Sequence, residues 1–228
     1  LIHDDIMDQD DMRRGQPAIH HQYRGVAPGR RLSPADRTQY GISMGMCVGD
    51  ISAFFAVYVL SALSIDPDLK NRIIQQTSRE IMLVGLAQMQ DVHHGYVGHA
   101  SEQDVLDVYT YKTGRYTFSL PMRIGALLAG ATADQQHTLT TLGEQMGRIF
   151  QIRDDRLGIL EDATTTGKPT GSDIREDKKT LYRALLFERT DANDPVSSLF
   201  GKDDLSSEEV ETVRASLASH DVLSDVDA

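Results

Sequence analysis

The sequence predicts an all-α chain, a bundle of six or more helices packed side by side. Three observations lead there. Helix-start signals recur along the chain, apolar residues repeat at helical spacing, and the period-2 alternation of half-buried strands is missing. With 228 residues, 40% of them hydrophobic, the chain can bury one sizeable core, and it reads as a single large domain over 1–228.

Leu1 to Asp8 reads as the end of an apolar helix. Ser33-Pro34-Ala35-Asp36 starts the next, with Ser33 as cap and Pro34 at the first position, and an apolar segment follows to about Leu63. Asp66-Pro67 starts another in the same way. Its Ile73, Ile74, Thr77, Ile81, Val84, Gln88 and Asp91 keep helical spacing. Ser101-Glu102-Gln103-Asp104 has the form of a capping box. Asp134 to about Leu160 is a long periodic helix, and Ser206-Ser207-Glu208-Glu209 caps a late one. Turn formers predict loops over Gly15–Leu32, Ala163–Asp173 and Asp191–Leu205.

The formal net charge of -11 argues against a broad nucleic-acid surface. It is compatible with a diphosphate ligand, because clustered carboxylates hold cations and the cations hold phosphates. The single cysteine, Cys47, excludes an internal disulfide and fits a reducing cytoplasm. The longest uncharged stretch, Ile51–Ile65, has 15 residues, short of the roughly 20 that span a bilayer, so a buried helix is expected rather than a membrane span. Leu1 stands inside a motif without an initiator methionine, so upstream helices and some C-terminal residues are expected beyond the two ends.

Two acidic motifs carry the chemistry. In Asp4-Asp5-Ile6-Met7-Asp8, Asp4 and Asp8 share one helical face and Asp5 lies beside them. Three like charges so close destabilise an isolated helix, and a divalent cation removes that cost. All-oxygen donors suit a hard ion that keeps waters and shares phosphate oxygens, which points to magnesium. Taken alone, such a run is more often a solvated helix end. Arg13 and Arg14 follow it, and guanidinium forks suit phosphate oxygens. The second motif is Gln151-Ile152-Arg153-Asp154-Asp155, again on a helix, which places two aspartate pairs where they would face each other across a bundle. A glycine-bearing stretch, Gly167 to Thr180, then carries Lys168, Lys178 and Lys179.

Together these residues resemble the trans-type polyprenyl diphosphate synthase family. The match rests on Asp4 to Asp8, Arg13-Arg14-Gly15, Gln88-Met89-Gln90-Asp91, Lys112-Thr113, Phe150-Gln151 with Asp154-Asp155, and Gly167 to Thr180, all in family order. Residues 181–228 carry no such motif. The resemblance implies an isoprenoid synthase-like fold around a central cavity and condensation of isopentenyl diphosphate with an allylic diphosphate (dimethylallyl, geranyl or farnesyl). It implies Asp4, Asp8 and Asp154 on more than one magnesium ion, with Asp5 and Asp155 supporting and manganese able to substitute. Arg13, Lys112, Lys168 and Lys178 would grip the allylic diphosphate, with Thr113 and Gln151 in the catalytic set, and Arg14 would face isopentenyl diphosphate. A homodimer through the apolar helix at Val57, Tyr58 and Leu60 and the helix after it is also implied. The Asp5–Asp8 spacing resembles geranylgeranyl-type members more than typical bacterial farnesyl ones.

Position 158 is glycine where many members have a third aspartate, so water is expected to fill that place and Gly158→Asp to be tolerated. Two rivals are weaker. A class I terpene cyclase needs a second motif that Asn193-Asp194-Pro195-Val196-Ser197 only begins, with Gly201 where a glutamate belongs. A non-catalytic partner subunit usually lacks one acidic motif, and both are here. The pairs His20-His21 and His93-His94 are not expected to hold a metal, because adjacent helical side chains point about 100° apart.

Overall fold

The computed structural model describes residues 1–28, 32–160, 171–191 and 193–227. Their regular elements are helices apart from one two-stranded hairpin, in agreement with the predicted all-α class. The chain divides into two compact units, Leu1–Ile74 and Gln75–Ala228.

The first unit holds α1 (Ile2–Met7), the hairpin β1 (Met12–Arg13) and β2 (Gln16–Pro17), α2 (Ile19–Val26), α3 (Pro34–Ser61) and the start of α4 (Pro67–Tyr96). Helix α3 begins at the predicted capping box: Ser33 and Asp36 exchange side-chain and backbone hydrogen bonds, and Pro34 needs no partner there. Asp66 caps α4 by accepting from the Leu69 N–H at 3.0 Å. Helix α2 lies inside the predicted Gly15–Leu32 loop and corrects it. Its packing on α3 outweighs the turn formers. Gly41, Gly45 and Gly49 make a bare stripe on α3, four residues apart. A Cβ would stand 2.3 Å from the His20 carbonyl at Gly41, 2.7 Å from Ile6 at Gly45 and 2.2 Å from the His3 ring at Gly49. The stripe thus seats α1 and α2.

The predicted burial of Ile51–Ile65 is also corrected. The second half of α3 lies at the surface, with Phe54 76% exposed and Ile51, Phe55 and Tyr58 exposed beside it. By length and composition alone, α3 is long and apolar enough to cross a membrane.

The second unit holds the rest of α4, α5 (Glu102–Val108), a π-helical segment (Tyr109–Ser119), α6 (Leu120–Leu128) and α7 (Ala133–Leu160). It continues with α8 (Ser172–Arg175), α9 (Leu181–Arg189), a 3₁₀ turn (Pro195–Leu199), α10 (Ser207–Ser219) and α11 (Val222–Asp227). The capping boxes at Ser101 and Ser206 form as predicted. From α5 through α6 the backbone stays right-handed helical, and its middle widens into i→i−5 bonding, as in Leu120 N–H to the Arg115 carbonyl. Close approach to α7 accompanies the widening. A Cβ at Gly147 would stand 2.1 Å from the Gly114 Cα, and one at Gly143 would stand 2.5 Å from the Ser119 Cα. Glu80 of α4 is buried and pins this segment, accepting from Arg115 Nε and Nη2 at 2.9 and 2.8 Å and from Arg123 Nη1 at 3.1 Å. The π-helical segment is thereby clamped from two sides.

The main apolar cluster joins Ile159 of α7, Ile174 of α8, Tyr182 and Leu186 of α9, Val210, Val213 and Leu217 of α10, and Val222 of α11. The motif-free C-terminal residues thus build the core on which the end of α7 rests.

The packing predicts opposite signs for one substitution. Gly147→Ala must force α7 and the π-helical segment apart, at a cost of about 1–3 kcal/mol. Gly125→Ala, in α6 with nothing within 4 Å of the added carbon, should stabilise by about 0.5–1 kcal/mol. Denaturant melts of both variants check this, and a neutral Gly147→Ala would contradict the close approach.

Candidate active site

In the first unit the acids stand at the end of α1. Asp8 is the C-cap, where the helix dipole is negative, so its carboxylate adds to an unfavourable end unless a cation balances it. Asp4 and Asp8 keep solvent access, whereas Asp5 is buried. A turn and the hairpin bring Arg13 back over Asp5: Arg13 Nε donates to Asp5 Oδ1 at 2.7 Å, and Nη2 donates to the same oxygen. Hydrogen bonding to Asp5 raises the Arg13 pKa above its ordinary value, although burial works against it. The hairpin loop is Arg14-Gly15, with φ of +52° and +74°. Both signs suit a two-residue primed turn, but Arg14 is not a residue that favours the left-handed region. Arg14 is exposed and holds a backbone conformation that costs a non-glycine residue free energy.

The second unit gathers Thr113, Gln151 and Lys178 around Asp155, which is 0% exposed. Lys178 Nζ donates to Asp155 Oδ1 at 3.1 Å, Gln151 Nε2 donates to it at 3.0 Å, and the Tyr109 hydroxyl donates to Oδ2. Thr113 Oγ1 donates to Gln151 Oε1 at 3.0 Å, so the π-helical segment and α7 share one chain of bonds. The Leu181 N–H in turn donates to the Tyr109 oxygen at 2.9 Å, which ties the start of α9 to it. Lys112 is paired with Asp91 at 2.7 Å. Lys168 lies outside the described residues.

Burial, and then the Asp155 charge, push the Tyr109 hydroxyl well above its ordinary pKa, so it stays a donor. Burial opposes the Lys178 ammonium, but Asp155 and Asp173 outweigh it and raise its pKa well above the ordinary lysine value. Tyr109 has no motif around it, and only the three-dimensional fold brings it to Asp155, 46 residues away.

A Cβ at position 158 would stand 2.4 Å from Asp173 Oδ2, so the Asp173 carboxylate lies beside the place expected to hold water, and Gly158→Asp needs that side chain to turn aside.

Among the described residues, no three His, Cys, Asp or Glu side chains are already gathered for a metal. The donor set nevertheless fits magnesium. Asp8 and Asp154 are exposed oxygen donors and Asp4, 3.7 Å from Arg13, is half-buried, a set suited to an ion that keeps waters and shares phosphate oxygens. His21 pairs with Asp11 at 2.8 Å, and the His93 and His94 ring centres are 6.3 Å apart.

Residues 1–217 match the family described as polyprenyl synthetase. The geranylgeranyl diphosphate synthase of Sulfolobus acidocaldarius is 31% identical over 214 residues, covering 92% of this chain and 59% of that protein. The geranylfarnesyl diphosphate synthase of Aeropyrum pernix is 33% identical over 211 residues, 90% of this chain and 61% of that protein. The chain thus spans about three fifths of these relatives. Among solved structures, geranylgeranyl pyrophosphate synthase from Corynebacterium glutamicum, complexed with isoprenyl diphosphate and magnesium, superposes with a TM-score of 0.87 at 28% identity. The match covers 99% of this chain and 64% of that one. Sequence and fold agree, and the chain belongs to the polyprenyl synthetase family.

Proposed function

We propose that the protein condenses isopentenyl diphosphate with an allylic diphosphate to give a longer trans-prenyl diphosphate and diphosphate. The observation that best supports this is a shared division of labour. In each aspartate pair the second residue is buried against a cation, Asp5 on Arg13 and Asp155 on Lys178, while the first, Asp4 or Asp154, keeps solvent access. Adjacent helical residues point about 100° apart, so one can serve the fold while its neighbour faces a ligand.

Asp4, Asp8 and Asp154 would hold magnesium, with Asp5 and Asp155 supporting from behind. The metal, when bound, supplies electrophilic neutralisation of the leaving diphosphate. Lys112, Lys178 and Arg13 are fixed cations whose positions are set by Asp91, Asp155 and Asp5 before any ligand arrives. Such preorganised charge stabilises a leaving group as it becomes more negative. Thr113 and Gln151 orient the Asp155 cluster, and Arg14 presents its fork for the second diphosphate. The allylic C–O bond breaks with its electron pair on the diphosphate, the isopentenyl double bond forms the new C–C bond, and one proton is lost.

The family match runs through both compact units, and we read them as one catalytic domain. The exposed, lone Cys47 is consistent with a reducing cytoplasm. The exposed face of Ile51, Phe54, Phe55 and Tyr58 suits a second copy of the chain better than solvent.

Product analysis tests the reaction. With labelled isopentenyl diphosphate, magnesium and each of the three allylic diphosphates, linear prenyl alcohols are expected after dephosphorylation, and none in excess EDTA. Cyclic hydrocarbons, or turnover that survives EDTA, would overturn the reading. Light scattering tests the homodimer. At micromolar concentration the mass should be twice that of the monomer, and Phe55→Asp should shift it toward one copy. A monomeric wild type would contradict the dimer.

A further inference from the structure

The corner between α2 and α3 carries a local charge opposite to that of the chain. Over residues 19–38 the sequence sets Arg24, Arg30, Arg31 and Arg37 against a single acid, Asp36, whereas the whole chain has a formal net charge of -11. Arg30 and Arg31 lie outside the described residues. Arg24 and Arg37, with His21, line one cavity of about 430 Å³, and Gly25, Leu32 and Pro34 complete its wall. Among the described residues no acid lines it.

Both arginines are half-buried, and neighbours hold them in place. Arg24 Nη2 donates to Asp11 Oδ2 at 3.3 Å and stands 3.0 Å from His21 Nδ1. Asp11 is shared, because His21 Nδ1 lies 2.8 Å from its other oxygen. Arg37 Nη1 reaches from α3 back to the end of α2 and donates to the Ala27 carbonyl at 3.5 Å. A guanidinium carries five N–H donors in a rigid fork, so such a bond orients it without exhausting it. The start of α3 is not itself the anchor: Pro34 has no N–H, and Ser33 takes the Asp36 N–H in the capping box. Gly25 leaves the floor bare, since a Cβ there would meet nothing within 4 Å.

We propose that this corner is a second anion site, which takes the diphosphate group of a small molecule and is distinct from the acidic motif at the end of α1. Guanidinium forks match phosphate oxygens two at a time, and two forks answer two phosphoryl groups. The cavity has the size of a small-molecule site, and Leu32 and Pro34 would flank a short apolar tail. Arginines need no metal to attract phosphate, whereas clustered aspartates do. The site goes beyond the prenyl-transfer reading and does not rest on it.

Calorimetric titration of the full chain with inorganic diphosphate in EDTA reads the site directly. Wild type should take up one equivalent without metal. Arg24→Gln and Arg37→Gln should each weaken binding roughly 10-fold or more, the scale of a lost charged hydrogen bond. Gly25→Leu should weaken it as far by filling the cavity. It should melt no earlier than wild type, because its space is open and leucine favours helix. That melt separates a blocked site from a damaged fold. Arg14→Gln and Lys112→Gln, which alter the proposed reaction site, should leave the affinity within about twofold, as independent positions do. Geranyl diphosphate in the same buffer distinguishes the source of the group: tighter binding than the inorganic ion assigns the site to a tailed ligand, equal binding to free diphosphate. No saturable heat in wild type would overturn the site. So would affinity lost in Arg14→Gln and Lys112→Gln but kept in Arg37→Gln, and an unweakened Gly25→Leu would overturn the cavity as its place. The titration involves no turnover, so its result stands whether or not the chain transfers prenyl groups.

Discussion

The fold around the second acidic motif depends on one enclosed charge. Asp155 is fully buried, and an ionised carboxylate survives there only with donors on every side. Tyr109, Gln151 and Lys178 supply them from the π-helical segment, from α7 itself and from the strand of backbone after α8. Satisfying one side chain therefore fixes three parts of the chain against each other. Asp5 repeats the arrangement on a smaller scale, with Arg13 returned to it by a hairpin. Each buried acid stabilises a cation in advance, and its sequence neighbour keeps more solvent access, Asp154 exposed and Asp4 half-buried 3.7 Å from Arg13.

Close backbone packing makes this geometry attainable. The bonds from Thr113 to Gln151 and from Tyr109 to Asp155 need the π-helical segment to lie almost in contact with α7, and Gly143 and Gly147 permit that. Larger residues at those positions would move the donors out of hydrogen-bond reach. Arg115 and Arg123 on Glu80 hold the opposite flank. Residues 181–227 contribute no motif, yet Tyr182, Leu186, Val213 and Leu217 form the apolar support under the end of α7. Their contribution is to keep Asp155 and Asp173 where they are.

Much of this was legible in sequence, for identifiable reasons. Helix starts at Ser33, Asp66, Ser101 and Ser206 obey local capping chemistry that acts over three residues. The acidic and basic motifs were legible because metal and phosphate chemistry demands particular side chains at helical spacing. Contacts decided by distant partners were not. Helix α2 was read as loop because its stability comes from the bare stripe on α3. The burial of Asp5 and Asp155, against the greater solvent access of Asp4 and Asp154, depends on which face of each helix meets its neighbours. Nothing in its own motif announces that Gly158 lies beside Asp173, fifteen residues later. The apolar half of α3 was expected inside and lies outside, since hydropathy records a preference for burial but not the partner that satisfies it.

The division within each acidic pair can be read from two isosteric variants measured for both stability and turnover. Asp155→Asn removes the enclosed charge that holds Lys178 and should lower stability by roughly 2–4 kcal/mol. Asp154→Asn should leave stability within about 0.5 kcal/mol of wild type while reducing turnover at least ~100-fold. Equal melting of the two variants, or full turnover in Asp154→Asn, would contradict a fold-bearing acid beside a chemistry-bearing one.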